Sequence, residues 1–473
     1  MTAALPAPPT ESTKRLLPWL VAVAFFMQSL DTTILNTAAP AIAEAMRVTP
    51  LDMKSVLASY TLSLAVFIPI SGWMADRFGT RRVFGSAIGL FTAGSLLCAV
   101  AVDIDMLVAC RVVQGMGGAM MVPVGRMTMV RTFPKSELVQ AMSFVAIPSL
   151  VGPMVGPLIG GLIVHYLHWR VLFLVNLPVC VVGLYLVWRF LPDYREDKSN
   201  PLDVVGFILF GSGIALLSYV LQIFGDHRLG EIEIVGLLAI SLLLLMGYGV
   251  NAMHARHPLL RLELFRLRTF RAAVGGSFFG RLGLGGLPFL FPLLYQIGLG
   301  YSAVQSGLLV MPQAMAAMGI KMIVPRILAR LGYRTVLVGN TLILGVLIMG
   351  FATIDLGTPT WRIALQAFIL GFFTSTQYTA MNTLVYADVT AQQTSAASTI
   401  ASTGQQMSIS FGVAGASLIA ALFVPDTLRT DPTAMINGVH QAFIVLGLMT
   451  IASSMIFMLL SRDDGGAISR HKG

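Results

Sequence analysis

The sequence predicts an all-α membrane protein with many transmembrane helices, and three observations lead to this fold class. Of the 473 residues, 56% are hydrophobic and only 11% are charged, whereas about 25% of the residues in a soluble domain are charged. The hydrophobic residues form long runs, which short charged segments separate. The basic residues are concentrated in every second one of these segments, as is typical of a polytopic membrane protein.

Fourteen apolar runs are long enough to be transmembrane helices, since a helix needs about 20 apolar residues to cross the hydrocarbon core. No cleavable signal peptide is evident, and we interpret the run after Lys14 and Arg15 as the first span. An even number of spans places both termini on one side of the membrane. The predicted spans are 17–37, 54–75, 83–102, 106–130, 138–164, 171–190, 203–224, 232–252, 271–296, 304–325, 335–353, 361–385, 396–424 and 438–461.

The basic residues orient the chain in the membrane. With a cytoplasmic N-terminus, 21 of the 31 basic residues lie in inner segments, 6 in outer segments and 4 within spans. Because cytoplasmic loops carry an excess of Lys and Arg, we expect a multi-pass protein of the cytoplasmic (inner) membrane with both termini in the cytoplasm. The net charge of +9 then reflects this orientation, and we expect no nucleic-acid partner.

A short charged segment occurs twice, once after span 2 (Gly72–Arg82) and once after span 10 (Pro325–Thr335). Three aligned pairs share an offset of 253 residues: Arg77 with Arg330, Gly79 with Gly332, and Arg81 with Arg334. We therefore predict a cytoplasmic N-terminal tail (1–16), an N-terminal six-helix half (17–191), two inserted helices (203–252), a C-terminal six-helix half (271–461) and a cytoplasmic tail (462–473). Duplicated halves with a site between them are typical of alternating-access transporters.

Four motifs lie in the first five spans and the loops that join them. Span 1 carries Leu30-Asp31-Thr32-Thr33-x-x-Asn36-x-x-x-Pro40. The loop after span 2 carries Gly72-x-x-x-Asp76-Arg77-x-Gly79-x-Arg81-Arg82. Span 4 carries Leu107-x-x-x-Arg111-x-x-Gln114-Gly115-x-Gly117-Gly118, and span 5 carries Gly152-Pro153-x-x-Gly156-Pro157-x-x-Gly160-Gly161.

Together these motifs resemble those of the major facilitator superfamily, and more narrowly those of its fourteen-span drug:proton antiporters of the EmrB/QacA type, in the MdtD-like branch. The similarity covers nearly the whole chain. It implies the major facilitator fold with 14 transmembrane helices and proton-coupled export of small molecules. It also implies that Arg111 assists proton coupling and that the span-5 motif marks an exporter. Arg126 and Arg281 fit the same branch.

The loop after span 2 and the glycines of span 5 suit moving helices. Gly72 would allow a close helix approach and Gly79 a tight turn, while Asp76 can pair with a basic side chain and latch a cytoplasmic gate. The second copy has Ala329 in place of Asp76 and lacks this latch. Glycines at every fourth position form a flat face for a neighbouring helix, and the two prolines bend span 5. The alternatives are a loop that sets topology and ordinary small-residue packing.

Asp31 is the one acidic residue, of 22, that the predicted spans place deep in the membrane. A buried carboxylate is costly when it is ionised, so we predict that Asp31 takes up and releases the coupling proton together with Arg111. The alternative is a structural Asp31 that is paired permanently with an arginine and does not titrate. Arg111 also has a structural alternative, in which it extends its head group to the interface.

Four basic residues lie within the predicted spans, namely Arg111, Arg126, Arg281 and Lys321, against the single acid Asp31. Either water in the cavity or a negative substrate can compensate this excess, unless Arg126 and Lys321 extend to the cytoplasmic interface. Arg281 is mid-span among glycines, which leave room around its head group. We therefore predict a substrate cavity with these side chains: Arg126, Arg281, Gln114, Asn36 and Lys321.

The sequence favours a transporter over an enzyme or a receptor. No Ser-Lys, Asp-Asp or His-Asp constellation lies within the spans, no phosphate-binding Gly-Lys motif occurs, and the three cysteines lie singly in apolar runs. We expect no metal and no cofactor, with the proton motive force as the energy source, and with lipid, protons and a small-molecule substrate as partners. The main alternative to multidrug-like efflux is export of one small anionic metabolite or anionic complex. A periplasmic adaptor protein, the coupling stoichiometry and the oligomeric state stay open.

Overall fold

The computed structural model describes residues 11–133, 135–195, 201–223, 230–390, 393–423, 432–461 and 463–465. Most of the two predicted cytoplasmic tails (residues 1–10, 462 and 466–473) lies outside the described residues. The last part of the predicted inner segment between spans 6 and 7 (196–200) also lies outside them, as do the ends of two predicted spans, 224 and 424.

Fourteen long helices, α1 to α14, coincide with the fourteen predicted spans in the described part of the chain. They are α1 (Glu11–Met46), α2 (Met53–Phe78), α3 (Thr80–Ala99), α4 (Ile104–Thr132), α5 (Lys135–Tyr166), α6 (Asn176–Phe190), α7 (Val204–Ile223), α8 (Glu231–His254), α9 (Arg268–Gly285), α10 (Ala303–Gly319), α11 (Tyr333–Gly350), α12 (Thr360–Leu384), α13 (Thr394–Phe423) and α14 (Pro432–Met458). Shorter pieces extend or join them: helix Val171–Leu174 precedes α6, helix Leu287–Pro292 and π-helix Leu293–Gly298 follow α9, and helix Val324–Leu331 precedes α11. Single 3₁₀ turns lie at Pro50–Asp52, Leu262–Arg266, Ile320–Met322 and Phe351–Thr353.

Twelve of these helical segments are long and apolar enough to cross a membrane, within the residues that the structure describes. The two others are α5 and α12. The apolar stretch of α5 is the shorter Val151–Tyr166, and α12 contains buried polar residues such as Ser375, Thr376 and Gln377. Ser375 and Gln377 donate hydrogen bonds to α10 and α11. The polar face of α12 is therefore packed against neighbouring helices. The count of fourteen crossings stays a prediction.

The two six-helix halves repeat one packing pattern. In the first half the main helix pairs are α1–α5, α2–α4, α3–α4, α3–α6 and α1–α6. The second half has the equivalent pairs α9–α13, α10–α12, α11–α12, α11–α14 and α9–α14. The halves meet through α2–α13 and α5–α10, which are also equivalent to each other. The equivalent pairs relate the two sets of six helices by an approximate two-fold axis.

The inserted helices α7 and α8 pack mainly on each other. α7 also lies against α2 and α13, where the ring of Phe67 on α2 lies 5.7 Å from the ring of Phe207. Asp203, just before α7, accepts hydrogen bonds from Asn251 on α8 at 3.0 Å and from the backbone of Leu259 at 3.2 Å. The pair is thus attached at one edge of the contact between the halves.

The halves share one hydrophobic core at one end of the bundle and have separate cores at the other. The shared core lies at the end far from the termini and joins Ile42 and Phe173 of the first half to Phe291 and Phe443 of the second. Near the termini, one core belongs to the first half and another to the second. Three side-chain hydrogen bonds join the halves in the described residues. Gln296 donates to the Thr37 carbonyl at 2.7 Å and Ser410 donates to the Ala58 carbonyl of α2, while Ser417 donates to the Leu51 carbonyl in the 3₁₀ turn before α2. The hydrophobic core that joins the halves therefore lies at the end far from the termini.

The repeated loop forms the same turn in both halves. Gly79 and Gly332 have positive φ angles of 94° and 75°, which favour glycine. In the first half, Thr80 donates to the Pro192 carbonyl at 3.0 Å and accepts from the backbone of Tyr194 at 2.9 Å. In the second half, Gly465 packs against Tyr333, which is the equivalent of Thr80. Each half thus holds the segment after its last helix against this turn.

The expected close approach at Gly72 is wrong for this conformation, because a Cβ at Gly72 would meet nothing within 4 Å. Gly72 lies in the part of α2 near the termini, where each half has its own core.

We predict that Gly79→Ala destabilises the protein whereas Gly72→Ala does not. Alanine in this extended positive-φ conformation (φ 94°, ψ 143°) costs about 1–3 kcal/mol, and a Cβ at Gly79 would also overlap the carboxylate of Asp193. The check is the temperature of unfolding of both variants in detergent, followed by tryptophan fluorescence. Equal unfolding temperatures for the two variants would contradict the turn geometry.

Candidate functional site

Asp31 lies on α1 and is almost completely buried, with 1% of its surface exposed. Its Oδ2 accepts a hydrogen bond from Nη1 of Arg111 on α4 at 2.7 Å, which forms a buried ion pair. Its Oδ1 accepts from Nε2 of Gln114 at 2.8 Å and from Nδ2 of Asn176 on α6 at 3.3 Å. The carboxylate is therefore compensated by one full charge and two amide donors.

Arg111 has two supports besides Asp31. Its Nη1 also donates to Oε1 of Gln114, and its guanidinium carbon lies 4.2 Å from the centroid of the Tyr60 ring, within the range of a cation–π interaction. Gln114 in turn donates to Ser95 on α3 at 2.7 Å. We call these residues (Asp31, Arg111, Gln114, Ser95, Asn176 and Tyr60) the Asp31 network.

The span-5 glycines bring α5 directly against the segment of α1 that carries Asp31. A Cβ at Gly152 would lie 2.8 Å from Cβ of Ser29, and Cβ atoms at Gly156 and Gly160 would overlap Thr33 and the Ile34 carbonyl. The predicted flat glycine face is therefore a close α1–α5 contact. Gly161 instead faces α10, where a Cβ would overlap the Ala303 carbonyl, so the same motif also joins the two halves.

The span-4 glycines let α4, which carries Arg111 and Gln114, pack closely against α2 and α3. A Cβ at Gly115 would lie 2.7 Å from Ser63 of α2, and one at Gly117 would lie 2.5 Å from the backbone of Phe91 on α3. Because neither position has room for a side chain, α4 packs closely on α2 and α3. Small residues in the motifs thus assemble the helices around the Asp31 network.

The loop after span 2 ties elements of the first half to one another. Asp76 forms an ion pair of 2.8 Å with Arg131 at the end of α4, and both side chains are partly exposed. The backbone of Arg81 donates to Asp193 at 3.1 Å, and its side chain donates to the Leu191 carbonyl. Arg77 and Arg82 are exposed. The predicted pairing of Asp76 with a basic side chain is therefore present, between α2 and α4.

Arg281 on α9 is a buried cation whose recorded partners are neutral. It has 2% of its surface exposed, and it donates to Ser277 at 2.9 Å and to Asn382 of α12 at 3.2 Å. Its guanidinium carbon lies 3.8 Å from the centroid of the Tyr378 ring. Among the residues that the structure describes, Arg281 forms no ion pair with a carboxylate.

The other predicted cavity residues have different surroundings. Arg126 is exposed and lies 5.6 Å from the centroid of the Phe25 ring. Lys321 is exposed in the 3₁₀ turn after α10, and Asn36 is half-buried and donates to the Thr32 carbonyl at 3.4 Å. Gln114 is fully buried, so it belongs to the Asp31 network and not to an open cavity wall.

Sequence reasoning missed Asn176, Ser95 and Tyr60. Each is a common residue type in a membrane helix, and none belongs to a quoted motif. The one available signal was Asn176, an amide within the otherwise apolar run Val171–Cys180. Tyr378 and Asn382, which the predicted cavity does not include, meet at Arg281. Phe289, Phe291 and Tyr295 pack in the shared core.

A duplicated bundle of membrane helices, with a buried ion pair in one half and a shared core at only one end, defines the protein as a multi-span membrane transporter. The family model of the Major Facilitator Superfamily matches residues 21–413, and the chain belongs to this family.

Relatives that carry the name multidrug resistance protein MdtD match nearly the whole chain. The protein of Escherichia fergusonii is 39% identical over 96% of this chain and 97% of its own. The protein of Serratia proteamaculans is 41% identical over 94% of this chain and 93% of its own. The chain is therefore a major facilitator transporter that is homologous to multidrug resistance proteins.

Solved structures share the fold at low sequence identity. A bacterial homologue of the lysosomal transporter Spinster, in an inward-facing and occupied conformation, gives a TM-score of 0.68 at 12% identity and covers 98% of this chain and 99% of that one. A D-xylose–proton symporter gives a TM-score of 0.67 at 13% identity over 96% and 99% of the two chains.

We predict that Asp31 and Arg111 are energetically coupled. Removing one partner of a buried ion pair leaves an uncompensated charge and costs about 3–5 kcal/mol, whereas removing both leaves none. Asp31→Asn and Arg111→Gln should each lower the unfolding temperature in detergent, and the double variant should recover much of the loss. Additive losses in this double-mutant cycle would show that the pair is not coupled.

Proposed function

We propose that the protein is a proton-coupled antiporter that exports small molecules by alternating access. The observation that carries this proposal is the Asp31 network, in which a buried carboxylate shares its arginine with two other groups. The named relatives are multidrug resistance proteins, which supports export. The proposal includes no catalytic step and no cofactor, and the energy source is the proton motive force.

The network can accommodate Asp31 in both protonation states. When Asp31 is ionised, Arg111 and the amides of Gln114 and Asn176 compensate its charge. When Asp31 is protonated, Arg111 keeps a hydrogen bond to Gln114 and the ring of Tyr60. A buried charge without any partner would be expensive, so these supports lower the cost of keeping Arg111 buried when Asp31 is protonated.

The protein would reside in the inner membrane with cytoplasmic termini. The excess of basic residues in the segments on the side of the termini supports this orientation. The end at which the halves have separate cores would then face the cytoplasm, and the halves would part there. In this state an exporter releases its proton and receives its substrate, and the ion-paired Asp31 suits a carboxylate that has lost its proton.

Arg281 favours a second, narrower proposal, in which the substrate is a small anion. The buried guanidinium donates hydrogen bonds to the neutral side chains of Ser277 and Asn382. Its positive charge can therefore be compensated by a bound anion. Arginine can bind a carboxylate through two parallel hydrogen bonds. A lipophilic cation would be repelled at the same place, so Arg281 separates a dedicated anion exporter from a multidrug exporter.

We predict that Asp31→Asn abolishes export that a pH gradient drives. An amide side chain does not bind and release a proton in the physiological pH range as a carboxyl group does. The coupling step is therefore lost. The measurement is the dissipation of a preset pH gradient in everted vesicles on adding substrate. The matched control is Glu44→Gln, which neutralises an exposed acid in the last turn of the same helix, α1. If Asp31→Asn still accumulates substrate in response to the gradient, another group carries the proton.

We predict that Arg281→Gln and Arg281→Lys lower transport of anions and spare that of cations. A hydrogen bond to a charged group is worth about 1.5–3 kcal/mol, so the Gln variant should lose roughly 10- to 100-fold, and Lys lacks the planar fork. Organic sulfonates and quaternary ammonium ions are suitable probes, because their charges are permanent and they carry no protons themselves. The control is Arg326→Gln at an exposed site. Export of the cations alone by the wild type, unchanged in Arg281→Gln, would contradict the anion proposal.

A further inference from the structure

An apolar cavity of about 370 Å³ lies in the first half between α1, α3, α4 and α6. Its walls include Trp19 and Met27 of α1, Ile88 of α3, Met121 of α4 and Leu186 of α6. For scale, one water molecule takes up about 30 Å³ in the liquid, and apolar cavities of about 150 Å³ stay dry and bind apolar ligands. The cavity is therefore suited to a hydrocarbon group.

The cavity opens on the outer surface of the first half. Trp19 and Val182 line it and are also 57% and 58% exposed. Their exposed neighbours on α6 are Val181 and Tyr185, and α6 packs on α1 and α3 of its own half. In a multi-span membrane protein, an apolar surface of this kind faces the lipid chains.

The length of the cavity corresponds to one leaflet of the bilayer. On α1 it extends from Leu16 to Met27, which is about 16 Å at 1.5 Å per residue. Half of the hydrocarbon core is about 15 Å thick. The cavity begins at the end of α1 that carries the terminus, so it lies in the leaflet on that side and runs parallel to lipid chains.

Two arginines lie at the end of the cavity where a lipid headgroup would be. Arg15 directly precedes the lining residue Leu16 on α1, and Arg189 follows the lining residue Leu186 by one turn on α6. Both are exposed, and neither forms an ion pair with a carboxylate in the described part of the chain. Basic pockets between helices on the cytoplasmic side bind anionic headgroups.

We propose that this cavity is a binding site for an anionic phospholipid of the leaflet on the side of the termini. One acyl chain occupies the space between α1 and α6, and the headgroup phosphate binds Arg15 and Arg189. The site is next to the Asp31 network: Met27 precedes Asp31 by one turn, and Pro178 follows Asn176 by two residues. The lipid thus lies between the two helices that the Asn176–Asp31 hydrogen bond connects.

The experiment is native mass spectrometry of the full chain after reconstitution with equal amounts of phosphatidylglycerol and phosphatidylcholine. The wild type should retain phosphatidylglycerol preferentially. A basic residue near an anionic surface contributes a factor of about five, so Arg15→Gln and Arg189→Gln should each lower the preference about fivefold. The double variant Arg256→Gln/Arg326→Gln, at exposed sites elsewhere, should leave it unchanged.

Gly183→Phe tests the acyl-chain part of the site. Gly183 lines the cavity, and a Cβ there would meet nothing within 4 Å, so the new ring can fill the cavity without displacing the backbone. This variant should retain less lipid than the wild type, and Gly236→Phe, at an equally open glycine of α8, should not. Gel filtration in detergent checks that each variant is folded.

Three outcomes would overturn the proposal. The first is equal retention of the two lipids by the wild type. The second is undiminished lipid retention by Gly183→Phe. The third is one ethidium bound per protein with no phosphatidylglycerol retained, which would make the cavity a site for lipophilic cations. Because the readout is bound lipid and not transport, it is independent of the proposed proton coupling.

Discussion

The buried ion pair between Asp31 and Arg111 is the interaction on which the organisation of the first half depends. Two opposite charges with 1% exposure are tolerated only when geometry and further hydrogen bonds compensate their loss of water. Donors from α4 and α6 meet the carboxylate of α1, and Ser95 of α3 holds Gln114. The glycines of α4 and α5 allow this convergence, because side chains at those positions would push the helices apart.

The two halves share a packing pattern but differ in charge. The first half contains the Asp31 network, whereas the second contains Arg281 with neutral partners. A proton would then bind in one half and a charged substrate in the other. Binding at either site would change how the two halves contact each other. The shared core at one end of the bundle and the separate cores at the other would suit a pivot at the shared end.

Much of the fold could be predicted from the sequence, because long apolar runs have few alternatives in a membrane. Asp31 and Arg111 could be found as isolated charges within spans. Asn176 and Ser95 could not, since their roles depend on which helices meet, and hydropathy does not specify this. The expectation for Gly72 was wrong for this conformation, because the sequence does not specify which helix lies next to that part of α2. The glycines of α5 were predictable, since their spacing alone defines one helix face.

The central claim, that Asp31 titrates within its network, is tested most directly by infrared difference spectroscopy of the protein across a pH titration. A protonated carboxyl group has a carbonyl stretching band that an ionised carboxylate lacks. The account predicts a band that appears on acidification in the wild type and in Glu44→Gln and is missing in Asp31→Asn. Identical titrating bands in the wild type and Asp31→Asn would contradict it, and Asp31 would then be a permanent partner of Arg111.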